Sequence, residues 1–341
     1  MSHHHGYSSD HHHHCHTPKI HHCGSSTPHA AQVPDGLYAS SGTSIAGVSI
    51  APHATYNGGY TNAKDVRLRI ANGGAGQSGL IGAWADAFIK YMVNERHVQP
   101  FLVAWYLGDT TESLGLLAAG SVDVAVTYNE AAEKQSKDSG AAVALVYGFR
   151  DHFILVGPNS NPAKLNEKDD ILVMFNKIVS QGNTDIAVPP DPEVRPPTRF
   201  LSRYDKSATN IKESQLFITI GQARRVPWAL VYSKWYHQYP RFPLEALEAA
   251  SLLSEYTLTD RGTWLSSPRS VTSQLKIFKA GTDDAKDPLL NPAHVLLGSN
   301  ASVNDKDIAS AFIKWVVSEP GGQYVVSQFK KHGEVLYSKA P

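Results

Sequence analysis

The chain has 341 residues, 42% of them hydrophobic and 18% charged, with Lys plus Arg balancing Asp plus Glu at 31 each. That length suits two lobes with extra segments, and the even charge argues against a nucleic-acid-binding protein, which would carry a basic stripe. No apolar run is long enough to span a bilayer.

Residues 1–64 are rich in His, Ser, Gly, Thr and Pro with little periodicity, and read as an irregular tail and linker. Eleven of the 17 histidines and both cysteines fall within residues 1–29. His11, His12, His13, His14, Cys15, His16, His21, His22 and Cys23 bring together imidazoles and thiols of the kind that bind Zn, Ni or Cu. The bland reading is a tag or an unstructured His-rich tract, but the spacing is irregular for a tag. The start lacks the apolar core of a signal peptide. A mature chain, a replaced front end or a cytosolic protein is therefore expected.

From Val66 the texture changes. VRLRIA reads as a strand, and Leu80, Ile81, Trp84, Ala87, Phe88, Tyr91 and Met92 recur at helical spacing. PFLVAWYLG (100–108) is a second strand, TTESLGLLAA (110–119) a helix stopped at Gly120, and VDVAVTY (122–128) a third strand. This βαβαβ order predicts a parallel sheet with helices on its faces. HFILVGPNSNPA (152–163) reads as a strand crossing into a second lobe, and ILVMFNKIVSQG (171–182) as a helix stopped at Gly182. A loop with five prolines (189–197) leads to a helix beginning near Ser207. A helix over 243–255, the strand EYTLT, a turn or helix at DRGTWL and the strand QLKIFKA (274–280) follow. The chain closes with a helix over 307–318 and another from about Gly321.

Gly74 to Gly79 spells GAGQSG, a literal G-x-G-x-x-G between a strand and a helix. A dinucleotide fingerprint also needs an acid about 20 positions on. None lies near Gln99, and Asp109 comes too late. The backbone N–H groups of this loop and the Ser78 hydroxyl would still suit a small oxyanion or carboxylate. The bland reading is a tight strand–helix turn. In SRYDKSATN (202–210), Arg203 offers a fixed charge with forked donors, and Ser207 and Thr209 offer hydroxyls at a helix start. An ion pair between Arg203 and Asp205 is the structural alternative. In YTLTDRGTWL (256–265), Asp260 and Thr263 read as the brace of a turn. No G-x-S-x-G, H-E-x-x-H, P-loop or Schiff-base lysine motif occurs, and the body histidines are scattered. No catalytic residue is expected.

The blocks YTLTDRGTWL, RDHFILVGPNSNPA, GSVDVAVTYNEAAE, FLSRYDKSATNIKE, DPLLNPAHVLL and FIKWVVSEPGGQ resemble, in order, those of the tungstate-binding branch of the periplasmic-type substrate-binding proteins. Those proteins serve ABC importers of tungstate and molybdate. The resemblance runs from about Val66 to the C-terminus. It implies an α/β, two-lobed (type II) clamshell: lobe 1 from residues 65–155 plus 265–341, lobe 2 from 156–264, and a ligand cleft between them. It also implies a non-catalytic protein with no required cofactor, an ABC permease as partner if bacterial, and a periplasmic or extracellular setting. Oligomeric state stays open.

The family holds its anion with a hydroxyl-rich first loop and an arginine of the second lobe. That arginine matches Arg203, and the following Asp-x-Ser-Gly-Thr run matches Asp205, Ser207, Ala208 and Thr209. The first loop departs from the family: Ser78, Gly79 and Leu80 are kept, but the hydroxyl-rich half has become Asn72, Gly73, Gly74 and Ala75. The second loop, glycine-threonine-glycine in the family, is Asp109, Thr110 and Thr111. The expected ligand set is thus Asn72, Gly73, Gly74, Ser78, Thr110, Thr111, Arg203, Ser207 and Thr209. A carboxylate at Asp109 would repel a dianion, so either it points away or the ligand is not a tetrahedral dianion. The alternative reading is an orphan clamshell, of a kind also found in fungi. Such a chain would be cytosolic, with the His-rich tail serving a sensing, metal-handling or structural role.

Overall fold

The computed structural model describes residues 51–221 and 233–341, and the backbone of two short antiparallel strands upstream, β1 (Ala31–Gln32) and β2 (Ser49–Ile50). The first lobe opens with β3 (Ala54–Tyr56) and β4 (Val66–Asn72). Next come α1 (Gly74–Ser78), α2 (Leu80–Asn94), β5 (Leu102–Leu107), α3 (Thr110–Ala118), β6 (Val124–Thr127) and α4 (Glu130–Asp138). β4 lies between β5 and β6 and pairs parallel with both, as the βαβαβ pattern requires. In α2, Leu80, Trp84, Phe88 and Met92 fall on one face and are all buried, because a four-residue step returns nearly to the same side of the helix.

A 17-residue strand, β7 (Ala142–Pro158), then carries the chain across. The second lobe holds α5 (Ile171–Ala187), β8 (Phe200–Ser202), α6 (Ala208–Thr219), β9 (Tyr236–Gln238), α7 (Pro243–Leu253), β10 (Tyr256–Asp260), α8 (Arg261–Ser266), α9 (Arg269–Thr272) and β11 (Leu275–Ala280). β12 (Leu290–Gly298) returns antiparallel to β7. α10 (Lys306–Val317), α11 (Tyr324–Gln328), the hairpin β13 (Lys330–Lys331) and β14 (Glu334–Val335), and β15 (Ser338–Lys339) close the chain, β15 on β7. One sheet runs through both lobes in the order β3-β5-β4-β6-β12-β7-β10-β8-β9.

Two separate cores define the lobes. The first gathers Trp84, Phe88, Phe149, Ala293, Phe312 and Trp315, with the Phe88 and Phe312 rings 5.1 Å apart. The second gathers Phe153, Phe175, Phe200, Phe217, Trp235 and Leu289. Each such aromatic contributes about 1.5–3 kcal/mol on full burial. Phe149 and Phe153 lie on the same strand in different cores, so the crossing occurs at Arg150–Asp151–His152. Leu289 and Ala293 mark the return crossing, later than residue 265, since Val271, Leu275 and Phe278 also pack in the second lobe. Among the described residues no helix is long and apolar enough to cross a membrane.

Three local expectations are corrected. α5 does not stop at Gly182 but continues to Ala187; a Cβ on Gly182 would stand 2.7 Å from Trp235 Cγ, so the glycine serves close packing. The helix ends instead at Val188, whose extended backbone is what the following proline demands. The GAGQSG loop is itself helical as α1, and Gly79, at φ 106°, breaks it from α2. Beyond α10 the chain makes a π-type turn over Glu319–Gln323 before the helix resumes at Tyr324.

Candidate functional site

Between the lobes lies a cavity of about 50 Å³, room for a small ion or a few waters. Five helix starts meet there: Gly73–Gly74 before α1, Asp109–Thr110 at α3, Ser207–Thr209 at α6, Phe242–Pro243 at α7 and Asp260 at α8. Free N–H groups and aligned peptide dipoles favour an anion at helix starts, although Asp109 and Asp260 cap two of these and Pro243 brings no N–H to a third. Tyr128, Asp151 and Asn291 complete the lining from the sheet.

On the lobe 1 side, Asn72 ends β4 fully buried. Its Oδ1 accepts from Gly76 N at 2.6 Å and its Nδ2 donates to Val126 O at 2.9 Å, which fixes the entry into α1. Gly73 is required by contact: a Cβ there would stand 2.9 Å from Gly108 O of the neighbouring loop. Asp109 caps α3 by accepting from Glu112 N at 2.8 Å.

On the lobe 2 side, β8 delivers Arg203 into the cavity, 4% exposed. Its Nη2 donates to Asp205 Oδ2 at 2.8 Å, and its buried Nε–H has no acceptor among the described residues. Tyr204 (φ 40°) and Lys206 (φ 63°) both adopt the left-handed region around Asp205. For non-glycine residues that conformation costs about 1–3 kcal/mol each and marks a loop held by its surroundings. Ser207 caps α6 by accepting from Asn210 N at 3.2 Å, and donates its own N–H to Asp205 Oδ1 at 3.0 Å. Beneath the loop, Glu213 accepts hydrogen bonds from Ser202 Oγ and Asn210 Nδ2, and burial pushes its carboxyl up to about 8.

The structure brings Gly73, Gly74, Thr110, Arg203, Ser207 and Thr209 together around the cavity. Three expected residues lie outside it. Asn72 acts on the backbone of α1. Ser78 turns its hydroxyl to Tyr337 Oη, 2.6 Å away, and Thr111 reaches across to Lys206 O at 3.5 Å. The tail set from His11 to Cys23 lies outside the described residues. Among the described residues, no group of three His, Cys, Asp or Glu could hold a metal ion.

Of the acids around the cavity, Asp109 and Asp260 were singled out in the sequence and Asp151 was missed. Asp109 both caps its helix and lines the cavity, alongside Asp151 and Asp260. Burial raises all three carboxyls. Asp260 does brace the turn, accepting from Thr263 N at 2.8 Å and Thr263 Oγ1 at 2.6 Å. Glu112, beside Asp109 and Asp205, is pushed up to about 7 by burial and then by those charges. Asp151 lies within the resembling block RDHFILVGPNSNPA, which was the available signal.

A two-lobed α/β molecule with a small cleft between crossover strands is the architecture of periplasmic-type binding proteins. The profile for the PBP superfamily domain matches residues 38–320, and the chain belongs to that family. It is 51% identical to a candidate periplasmic metal-binding protein of solved structure, over 85% of this chain and 99% of that one, with a TM-score of 0.75. It is 25% identical over 236 residues to the tungstate-binding protein TupA of Peptoclostridium acidaminophilum, covering 67% of this chain and 72% of that one. The fold also matches a tungstate-binding protein from Desulfovibrio alaskensis at a TM-score of 0.62 and 24% identity, over 81% of this chain and 99% of that one.

Proposed function

We propose that this chain is a non-catalytic solute-binding protein that closes its lobes on a small oxyanion of the tungstate or molybdate kind. The observation that carries the reading is Arg203: a buried guanidinium in the cleft whose Nε–H lacks an acceptor among the described residues. A buried charged donor left unpaired is costly, and an anion oxygen would satisfy it. The converging helix starts that keep free N–H groups and the Thr110, Ser207 and Thr209 hydroxyls supply further donors, and the tungstate-binding relatives support the ligand class. The same kinship supports delivery to an ABC permease on the outer side of the cytoplasmic membrane. Calorimetric titration with tungstate, molybdate, sulfate and phosphate tests it; heat with at least one is expected, and none with any at high micromolar anion would overturn it.

The tail is a separate proposal. Its clustered histidines and Cys15 and Cys23 would bind Zn, Ni or Cu independently of the cleft. A chain lacking residues 1–29 is expected to lose metal uptake and keep anion binding; unchanged metal uptake would contradict the assignment.

A further inference from the structure

Asp151 sits at the crossing of β7, opposite Asn291 of β12, and is 4% exposed while lining the cavity. One of its oxygens accepts from His152 N at 2.7 Å, and among the described residues no other hydrogen bond or salt bridge engages the carboxyl. The charged and titratable groups around it come from every neighbouring element. They are Asp260 and Arg261 at the start of α8, Tyr128 after β6, Tyr337 before β15 and His152 on its own strand. Asp109 and Arg203 face it across the same cavity.

Fully ionised, the lining would carry three carboxylates against one guanidinium. A dianion would then meet short-range repulsion from each ionised carboxylate, weakly screened in a buried site. Burial raises Asp109 and Asp260 too, but each has several donors that partly offset it. Asp109 accepts from the α3 backbone, and Asp260 takes two donors from Thr263 and the nearby charge of Arg203. Asp151 has a single donor, and burial followed by the Asp260 charge pushes it well above the usual carboxylate range.

We propose that the cleft takes up its anion together with one proton, held between the Asp151 carboxyl and an anion oxygen. The proposal rests on the oxyanion reading above. The step is a protonation: the Asp151 carboxylate gains a proton from solvent, and the resulting O–H donates to the anion, no other bond being made or broken. The acid thereby changes from a repelling charge into a donor, as a neutral carboxylic acid in an apolar site can. Linkage fixes the sign: affinity is constant where Asp151 is already protonated in the free protein and falls as pH rises above that point.

The test is calorimetric titration with tungstate, a dianion throughout, from about pH 6 to pH 9. Wild type is expected to lose affinity by about tenfold per pH unit on the alkaline side. Asp151→Asn, with a permanent neutral donor, is expected to bind with little pH dependence. Binding that stays flat to pH 9 in wild type, or an unchanged slope in Asp151→Asn, overturns the proposal while leaving the oxyanion reading intact. Absence of tungstate binding at every pH overturns it, and heat with another oxyanion then spares the broader reading. Should Asp151→Asn not fold, infrared difference spectra of wild type at alkaline pH decide. A protonated-carboxyl band gained on adding tungstate is expected, and its absence contradicts the proposal.

Discussion

Arg203 and Asp205 are joined from Nη2 to Oδ2 across 2.8 Å, and this pairing orients the guanidinium while leaving its buried Nε–H unanswered among the described residues. Asp205 also accepts from Ser207 N, so one carboxylate holds both the arginine and the start of α6. The charge partner of the anion and the hydroxyls beside it are thus set by one short loop.

Replacing Arg203 by lysine keeps the charge and removes the planar fork. Arg203→Lys is expected to weaken tungstate binding by about 10- to 100-fold, the worth of one charge-assisted hydrogen bond. Titration of the folded variant checks this, and unchanged affinity would mean that the guanidinium does not touch the ligand.

Asn72 and Ser78 flank the same short helix but play different parts. Asn72→Ala removes both of its buried hydrogen bonds and is expected to cost about 1–3 kcal/mol of stability, with weakened tungstate binding as Gly73 and Gly74 lose their anchor. Ser78→Ala is expected to leave tungstate affinity unchanged, because its hydroxyl serves Tyr337. Denaturant unfolding and titration of both variants separate the roles.

Glu213 makes stability depend on pH. Burial pushes its folded carboxyl up to about 8, above the ordinary glutamate range, so the folded state holds a proton that the unfolded chain releases. Its contribution is fully present below the unfolded value and is lost as pH rises to about 8; Glu112, at about 7, acts in the same direction. The melting temperature is expected to fall from pH 5 to pH 8, with Glu213 contributing at most ~1.4 kcal/mol per pH unit. Glu213→Gln should flatten that part of the profile, and an equally steep profile in the variant would contradict the assignment.

Periodicity made the βαβαβ half legible, since each element there buries one regular face. The crossover was harder to read. β7 begins at Ala142, ten residues before the strand expected from the sequence. β12 carries Pro292 in its interior, a residue that argues against a central strand. Arg203, Ser207 and Thr209 were readable because one loop presents all three. Asp151 was not, because its place beside Asp260 and Asn291 arises only from strands distant in sequence. Gly182 could be read as a helix stop or as a packing site, and only Trp235 decides. Gly182→Ala should therefore destabilise by about 1–3 kcal/mol through overpacking, although alanine is the better helix former. Stabilisation on thermal unfolding would favour the helix-stop reading.

The central claim is that the cleft, with Arg203 as its charge partner, holds a small oxyanion. Crystals grown with tungstate and measured at the tungsten absorption edge test it most directly. A single strong anomalous peak is expected between the lobes, with an anion oxygen at hydrogen-bonding distance from Arg203 Nε. An empty cleft at saturating tungstate, or a peak only outside it, would contradict the account.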